Sequence, residues 1–384
     1  MRKICVVITA RASYSRVKSA LAAIHEHPKL ELQLVLAASA LLDNYGSVLE
    51  NIRNDGFKVT ARISNALDAE TATAAAKTTG LGIIELATVF DNITPDIVFT
   101  IADRFETMSA AIAASFAHIP LAHLQGGEVT GNIDNKVRYS VTQLADLHFA
   151  STEQAKVRVE KAINSSKSVY NVGCPSIDLA AEVLEKSALD FDAFQLYGGV
   201  GEHIELLSPF LVVMQHPVTT ESHLSKTQID QTLEAIKQLN IPTCWFWPNM
   251  DPGTGGTVKG IRIFREHNPG LPIHFFKNMA PAHFLKLAKN SLCLIGNSSV
   301  GIRECSFLGI PVVNIGTRQA GRERGINVID VDYDATAIKD AIERQIAHKH
   351  YPSNILYGNG GAGKMIADLL DRVPLNSEKS RSDG

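Results

Sequence analysis

Carboxylates recur beside glycines at the ends of apolar runs. Asp103-Arg104-Phe105-Glu106 follows one run; His123-Leu124-Gln125-Gly126-Gly127-Glu128 follows another, and then come Gly131-Asn132-Ile133-Asp134 and Arg138. Glycines let a backbone approach a ligand closely, and several carboxylates nearby are the ingredients of acid–base work on a sugar. Gln215-His216-Pro217-Val218-Thr219-Thr220 adds an imidazole after a further run. Read blandly, His216 is structural and Asp103 pairs locally with Arg104. Their shared placement at run ends in both halves of the chain favours the functional reading.

A second constellation suits phosphate. Ile295-Gly296-Asn297-Ser298-Ser299-Val300-Gly301-Ile302-Arg303-Glu304 reads as a strand, a small polar turn and a helix start. Backbone N–H groups at such a helix end, beside two hydroxyls, suit a diphosphate. After the next run comes Gly316-Thr317-Arg318-Gln319, where Arg318 can offer a bidentate positive charge. The bland alternative is an N-cap by Ser298 and a solvated arginine. Pro248-Asn249 lies in a turn at another run end, after the core cluster Trp245-Phe246-Trp247.

These residues need strands to present them, and the pattern supplies two series. The first is Cys5–Ile8, Leu32–Ala37, Asp96–Ile101, Pro120–Leu124, Leu147–Ala150 and Val169–Val172. The second is Phe210–Gln215, Thr243–Trp247, Pro272–Phe276, Leu292–Ile295, Pro311–Ile315 and Val328–Val331. Runs apolar throughout are strands of a parallel sheet buried on both faces. Segments such as Ser15–His27 and Thr107–Ala117 carry apolar residues at helical spacing, so the fold class is α/β, two Rossmann-like domains facing across a cleft. The expected division is 1–174, then 175–365, then a terminal helix and tail over 366–384. In open sheets of this kind ligands sit beyond the carboxyl ends of the strands.

Composition narrows the class further. The 384 residues are 45% hydrophobic, with a formal net charge of −3, enough for two cores and a poor match to nucleic acid or an anionic membrane. No apolar run approaches the ~18 residues of a membrane span. Five scattered cysteines (Cys5, Cys174, Cys244, Cys293, Cys305) read as reduced core thiols of a cytoplasmic protein. No spacing argues for a metal site, and no cofactor is expected. Gly358-Asn359-Gly360-Gly361-Ala362-Gly363-Lys364-Met365 nearly matches a phosphate loop, but Met365 replaces the required hydroxyl, and it reads as a turn before the last helix. No GxGxxG follows the first strand, which argues against a dinucleotide-binding dehydrogenase.

In this order the motifs resemble the hydrolysing UDP-N-acetylglucosamine 2-epimerases of sialic-acid and related nonulosonate pathways. The resemblance covers nearly the whole chain, from Arg11 and Tyr14 through Asp103-Arg104, Gly126-Gly127-Glu128, Ile133-Asp134, Arg138, Gln215–Thr220 and Pro248-Asn249 to Gly296-Asn297-Ser298-Ser299 and Gly316-Thr317-Arg318-Gln319. It implies the GT-B-type fold, a C-terminal helix crossing back to the first domain, and homodimers or homotetramers. It also implies conversion of UDP-N-acetylglucosamine and water to UDP and N-acetylmannosamine. By similarity Arg11, Ser298, Ser299, Glu304 and Arg318 hold the nucleotide diphosphate, with Glu304 reaching the ribose. Arg138 and Asn249 join them as substrate-binding residues. Asp103, Glu128, Asp134, His216 and Gln125 are the candidate catalytic residues.

The chain departs from the family pattern around the sugar. Gln125 stands where many members carry Glu, and an amide does not exchange a proton. Glu128, Asp103 or a water takes that role, or Gln125 positions substrate. Ala102, Ser13, Tyr139 and Asn135 replace a usual Gly, Asp, His and Asp. The alternatives are the same chemistry on UDP- or GDP-diacetylbacillosamine, then a non-hydrolysing epimerase, a glycosyltransferase or a non-catalytic binder.

Overall fold

The computed structural model describes residues 1–42, 48–67, 71–130, 134–248 and 253–374, and the side chains of residues 11 and 12 lie outside the description. The chain forms two compact units: Met1–Glu128 with Asp134–Asp178 and Gly358–Gly384, and Val129–Ile133 with Leu179–Tyr357. Each unit is built on one sheet.

Unit 1 contains β1 (Arg2–Ile8), β2 (Leu30–Ala37), β3 (Val59–Ile63), β4 (Ile97–Ile101), β5 (Leu121–Leu124), β6 (Leu147–Ala150) and β7 (Val169–Asn171). They pair in the order β3-β2-β1-β4-β5-β6-β7, all parallel. β4, β5 and β6 are buried at every residue, as expected of strands covered by helices on both faces. β3 differs. It is the sheet edge, alternates between half-buried and exposed residues, and so lacks the continuous apolar run by which the other strands are legible.

Unit 2 contains β8 (Val200–Gly201), β9 (Leu211–Met214), β10 (Thr243–Phe246), β11 (Ile273–Phe276), β12 (Leu294–Gly296), β13 (Val312–Ile315) and β14 (Val328–Val331). Their order is β14-β13-β12-β9-β10-β11-β8, parallel except for β8, which runs antiparallel to β11. The Gly-rich stretch around residue 200 thus forms a short edge strand. Both sheets reverse their strand order once, between β1 and β4 and between β9 and β12. These are the points where open α/β sheets bind ligands. The architecture is α/β with two parallel-sheet, Rossmann-like domains. Among the described residues no helix is long and apolar enough to cross a membrane.

The helix Ala362–Arg372 belongs to unit 1 and packs on the helix Arg11–Glu26. It presents Ile366, Ala367 and Leu370 to that core at helical spacing, all buried. Burying an Ile or Leu side chain is worth roughly 1.5–3 kcal/mol. The Arg2 guanidinium reaches the other end of the helix, bonding the carbonyls of Leu370 and Val373.

The glycine-rich run before this helix is a turn, and the helix start it leads into is already filled. The Asp178 carboxylate accepts the N–H of Ala362 at 2.9 Å and of Gly363 at 2.8 Å. A carboxylate satisfies the orphan donors and complements the helix dipole, occupying the place where a phosphate loop would put phosphate. Removing a side-chain cap costs about 1–2 kcal/mol. Asp178→Ala is therefore expected to lower unfolding free energy by at least that much in urea titration. An unchanged midpoint would show that the cap contributes nothing.

Candidate active site

In unit 1 the site residues follow β4 and β5. Asp103 lies just beyond β4, beside the strand-order reversal, and is buried. Its partner is Arg138, on the helix Asp134–Leu144, and not Arg104. Arg104 instead makes a two-pronged contact with the buried carboxylate of Glu106, at 3.1 and 3.2 Å. Arg138 is 2% exposed, so its charge must be met by protein oxygens. It donates to the Asp103 carboxylate, to the Glu128 carbonyl at 2.8 Å and to Asn135 Oδ1 at 2.7 Å. The oxygens of Asp103, Glu128 and Asn135 that it bonds belong to the protein rather than to a substrate. One guanidinium thereby ties the helix that Asp134 opens to the segments that carry Asp103 and Glu128.

Gln125 and Glu128 are both buried. The Gln125 amide donates to the Cys174 Sγ at 3.2 Å, and its backbone adopts φ +67° at the end of β5. Gly127 must be glycine: at φ +76° a Cβ would stand 2.1 Å from the Ala155 carbonyl oxygen. Asp134 opens its helix, half-buried. Gly131, Ile133 and Asn249 lie outside the described residues, as does the side chain of Arg11.

In unit 2, His216 follows β9 and Asn297 follows β12, the two strands flanking the strand-order reversal. The Asn297 amide joins them. Its Oδ1 accepts the His216 N–H at 2.8 Å, and its Nδ2 donates to the His216 carbonyl at 2.8 Å. The Asn297 carbonyl in turn accepts from Arg318 Nη1 at 3.2 Å and Gln319 Nε2 at 2.9 Å. Gly296 makes the approach possible, because at φ +133° a Cβ would be 2.1 Å from the Met214 carbonyl oxygen. Asn297 and Gln319 are thus residues whose roles the motif argument missed. The available signal was an amide, which bonds through both donor and acceptor, directly after a strand.

Ser298 caps the helix Ser299–Ile302, accepting the Val300 N–H at 3.4 Å. That helix is a single turn, so its dipole is slight, and the next short helix starts at Glu304. Ser298, Ser299, Glu304 and Arg318 are all half-buried, leaving polar surface for a ligand. A cavity of about 430 Å³ in unit 2 lies elsewhere, by Arg265, Pro269 and Ile273 at the amino end of β11. A smaller one of about 300 Å³ adjoins Thr317 beyond β13. Position relative to the strand ends, rather than size, favours the carboxyl-end surface as the site. Among the described residues no cluster of His, Cys, Asp and Glu has the geometry to hold a metal ion.

Each Rossmann-like unit thus carries polar side chains beyond its strand ends, carboxylates in unit 1 and hydroxyls with an arginine in unit 2, the kind of groups that enzymes acting on sugar nucleotides need. The family model for UDP-N-acetylglucosamine 2-epimerase matches residues 22–371, and the chain belongs to that family. It is 30% identical to the UDP-N,N'-diacetylbacillosamine 2-epimerase (hydrolyzing) of Legionella pneumophila over 98% of both chains. It is 28% identical to the UDP-N-acetylglucosamine 2-epimerase of Neisseria meningitidis over 98% of this chain and 96% of that one. A crystal structure of UDP-GlcNAc 2-epimerase from Neisseria meningitidis bound to UDP-GlcNAc shares the fold, with TM-score 0.79 at 19% identity, over 97% of this chain and all of that one.

Beneath the unit 1 site, His123 on β5 and His148 on β6 are register partners, both buried. Burial pushes each imidazole down from 6.5 to about 4. For His123 the Ala102 hydrogen bond and the Glu128 charge oppose this; for His148 the neighbouring His123 adds to it. The folded state thus holds them neutral, while the unfolded chain takes up protons below about pH 6.5. Their contribution to stability is complete above that pH and is lost as the pH falls towards 4. The urea midpoint is expected to drop steadily from about pH 7 to about pH 4.5. A flat profile would refute the buried neutral pair.

Proposed function

We propose that this chain is a hydrolysing 2-epimerase that converts UDP-N-acetylglucosamine and water to UDP and N-acetylmannosamine. The observation that carries the reading is Arg138, which ties the segments bearing Asp103 and Glu128 to the helix that Asp134 opens. Inversion at C2 needs proton transfer on both faces of the sugar, and hence more than one acid–base group. The bond between C1 and the diphosphate oxygen breaks, and UDP departs with the electron pair. A carboxylate takes the C2 proton, leaving a C1–C2 double bond. Water then delivers hydroxide to C1 while C2 takes a proton on the opposite face.

Unit 2 serves the leaving group. Negative charge grows on the diphosphate as it departs, and Arg318 with the Ser298-Ser299 turn would stabilise it. His216, fixed by Asn297, would contact or protonate that oxygen, and Glu304 would hold the ribose. Gln125, bonded to a thiol, shapes the site, and Glu128 is the better proton carrier of that loop. The Legionella pneumophila relative favours a second reading, the same reaction on UDP-N,N'-diacetylbacillosamine.

Turnover in deuterated water, followed by proton and phosphorus NMR, tests the reaction. Free UDP with N-acetylmannosamine deuterated at C2 is the expected result, and undeuterated N-acetylglucosamine would refute it. Turnover of the diacetylated sugar alone would select the second reading. Asp103→Asn is expected to lower kcat by about 10²–10⁴-fold while UDP still binds. Arg318→Ala should instead weaken UDP binding by about 10–100-fold, the worth of one charge-assisted hydrogen bond. Equal effects of both variants on UDP affinity would contradict the division of labour.

A further inference from the structure

We propose that His123 is a positioning residue for the acid–base half of the site, clamping the backbone that aims Asp103 to the helix that carries Arg138. The proposal rests on the reaction argued above and gives a role to a side chain that the reaction scheme leaves unused. His123 is fully buried on β5, so it reaches no substrate. Its Nε2 lies 2.9 Å from the Ala102 carbonyl oxygen and its Nδ1 lies 3.2 Å from Thr142 Oγ1. A carbonyl only accepts, so Nε2 carries the hydrogen; in the neutral ring Nδ1 then accepts the Thr142 hydroxyl. One tautomer satisfies both contacts.

Both partners belong to the machinery around Asp103. Ala102 precedes Asp103 and adopts φ +60°, a left-handed conformation that disfavours any residue with a Cβ. Such strain persists only where its surroundings over-determine it. Here β5 does so twice: the Leu124 carbonyl accepts the Ala102 N–H at 2.9 Å, and His123 holds the Ala102 carbonyl. Thr142 stands one helical turn beyond Arg138, on the same face of the helix Asp134–Leu144. Gly126 closes over the contact, since a Cβ there would lie 3.1 Å from Thr142 Oγ1 and 3.2 Å from His123 Nδ1. The imidazole therefore ties the Asp103 turn, the Arg138 helix and the start of the Glu128 loop together.

Substitution separates the two ring nitrogens. The amide of Gln extends to where Nε2 lies, and that of Asn only to where Nδ1 lies. His123→Asn is expected to lower kcat on the order of 100-fold, the scale of a misplacement of about 1 Å. KM and the UDP dissociation constant should stay within about twofold, because a group that acts only on the chemical step leaves binding intact. His123→Gln should recover most of the lost kcat, and Thr142→Val should lower kcat in the same sense but less. If His123→Asn does not fold, the Gln and Val variants decide. Full kcat in folded His123→Asn or Thr142→Val, or a loss confined to melting temperature or KM, would overturn the positioning role. So would a Gln variant as slow as Asn. Wild-type protein in the same assay separates the two ideas: a wild type that turns over no sugar nucleotide removes the reaction itself, and the role with it.

Discussion

A guanidinium removed from water has to be surrounded by oxygen, and unit 1 is organised around meeting that requirement. Arg138 is buried, and it bonds the Asp103 carboxylate, a backbone carbonyl and an amide oxygen. Stripping one partner from a buried ion pair costs about 3–5 kcal/mol, so the segments supplying those oxygens are not free to drift. The same demand that stabilises the fold thus fixes the Asp103 carboxylate and the backbone of Glu128 against one helix. Structure and chemistry share one ion pair.

Unit 2 solves a parallel problem with a neutral group. At the reversal of strand order, neighbouring strands leave in opposite connections and a gap opens between their ends. Asn297 spans that gap with both faces of its amide and passes the constraint to Arg318 and Gln319 through its carbonyl. An amide suits this place because it donates and accepts without adding charge where a diphosphate would bind. Arg318 and Gln319 are thereby held by backbone at the strand ends rather than by one another.

What was legible in the sequence follows from range. Strands buried on both faces announce themselves as apolar runs, and twelve such runs became strands, whereas β3 and the two-residue β8 at the sheet edges did not stand out. Asp103, Glu128, Asp134, His216, Ser298 and Arg318 stood out as candidates because each lies within a few residues of the end of a run or at a helix start. Their partners were not. That Asp103 faces Arg138 rather than Arg104 depends on how a helix lies over β4 and β5, and that Asn297 grips His216 depends on β9 adjoining β12. The near-match to a phosphate loop misleads for a similar reason: Asp178, distant in sequence, already supplies the anion.

The helix Ala362–Arg372 also has a consequence for how the protein is made. Unit 2 is largely one uninterrupted stretch, Leu179–Tyr357, but unit 1 needs residues from both ends of the chain. As synthesis proceeds from the amino end, the sheet of unit 1 emerges first, and the helix that packs on its core comes last. Throughout that interval Val17, Leu21 and Ile24, which share a core with the closing helix, stand without Ile366 and Leu370 against them. The nascent chain therefore carries an open apolar seam for the time it takes to translate an entire domain.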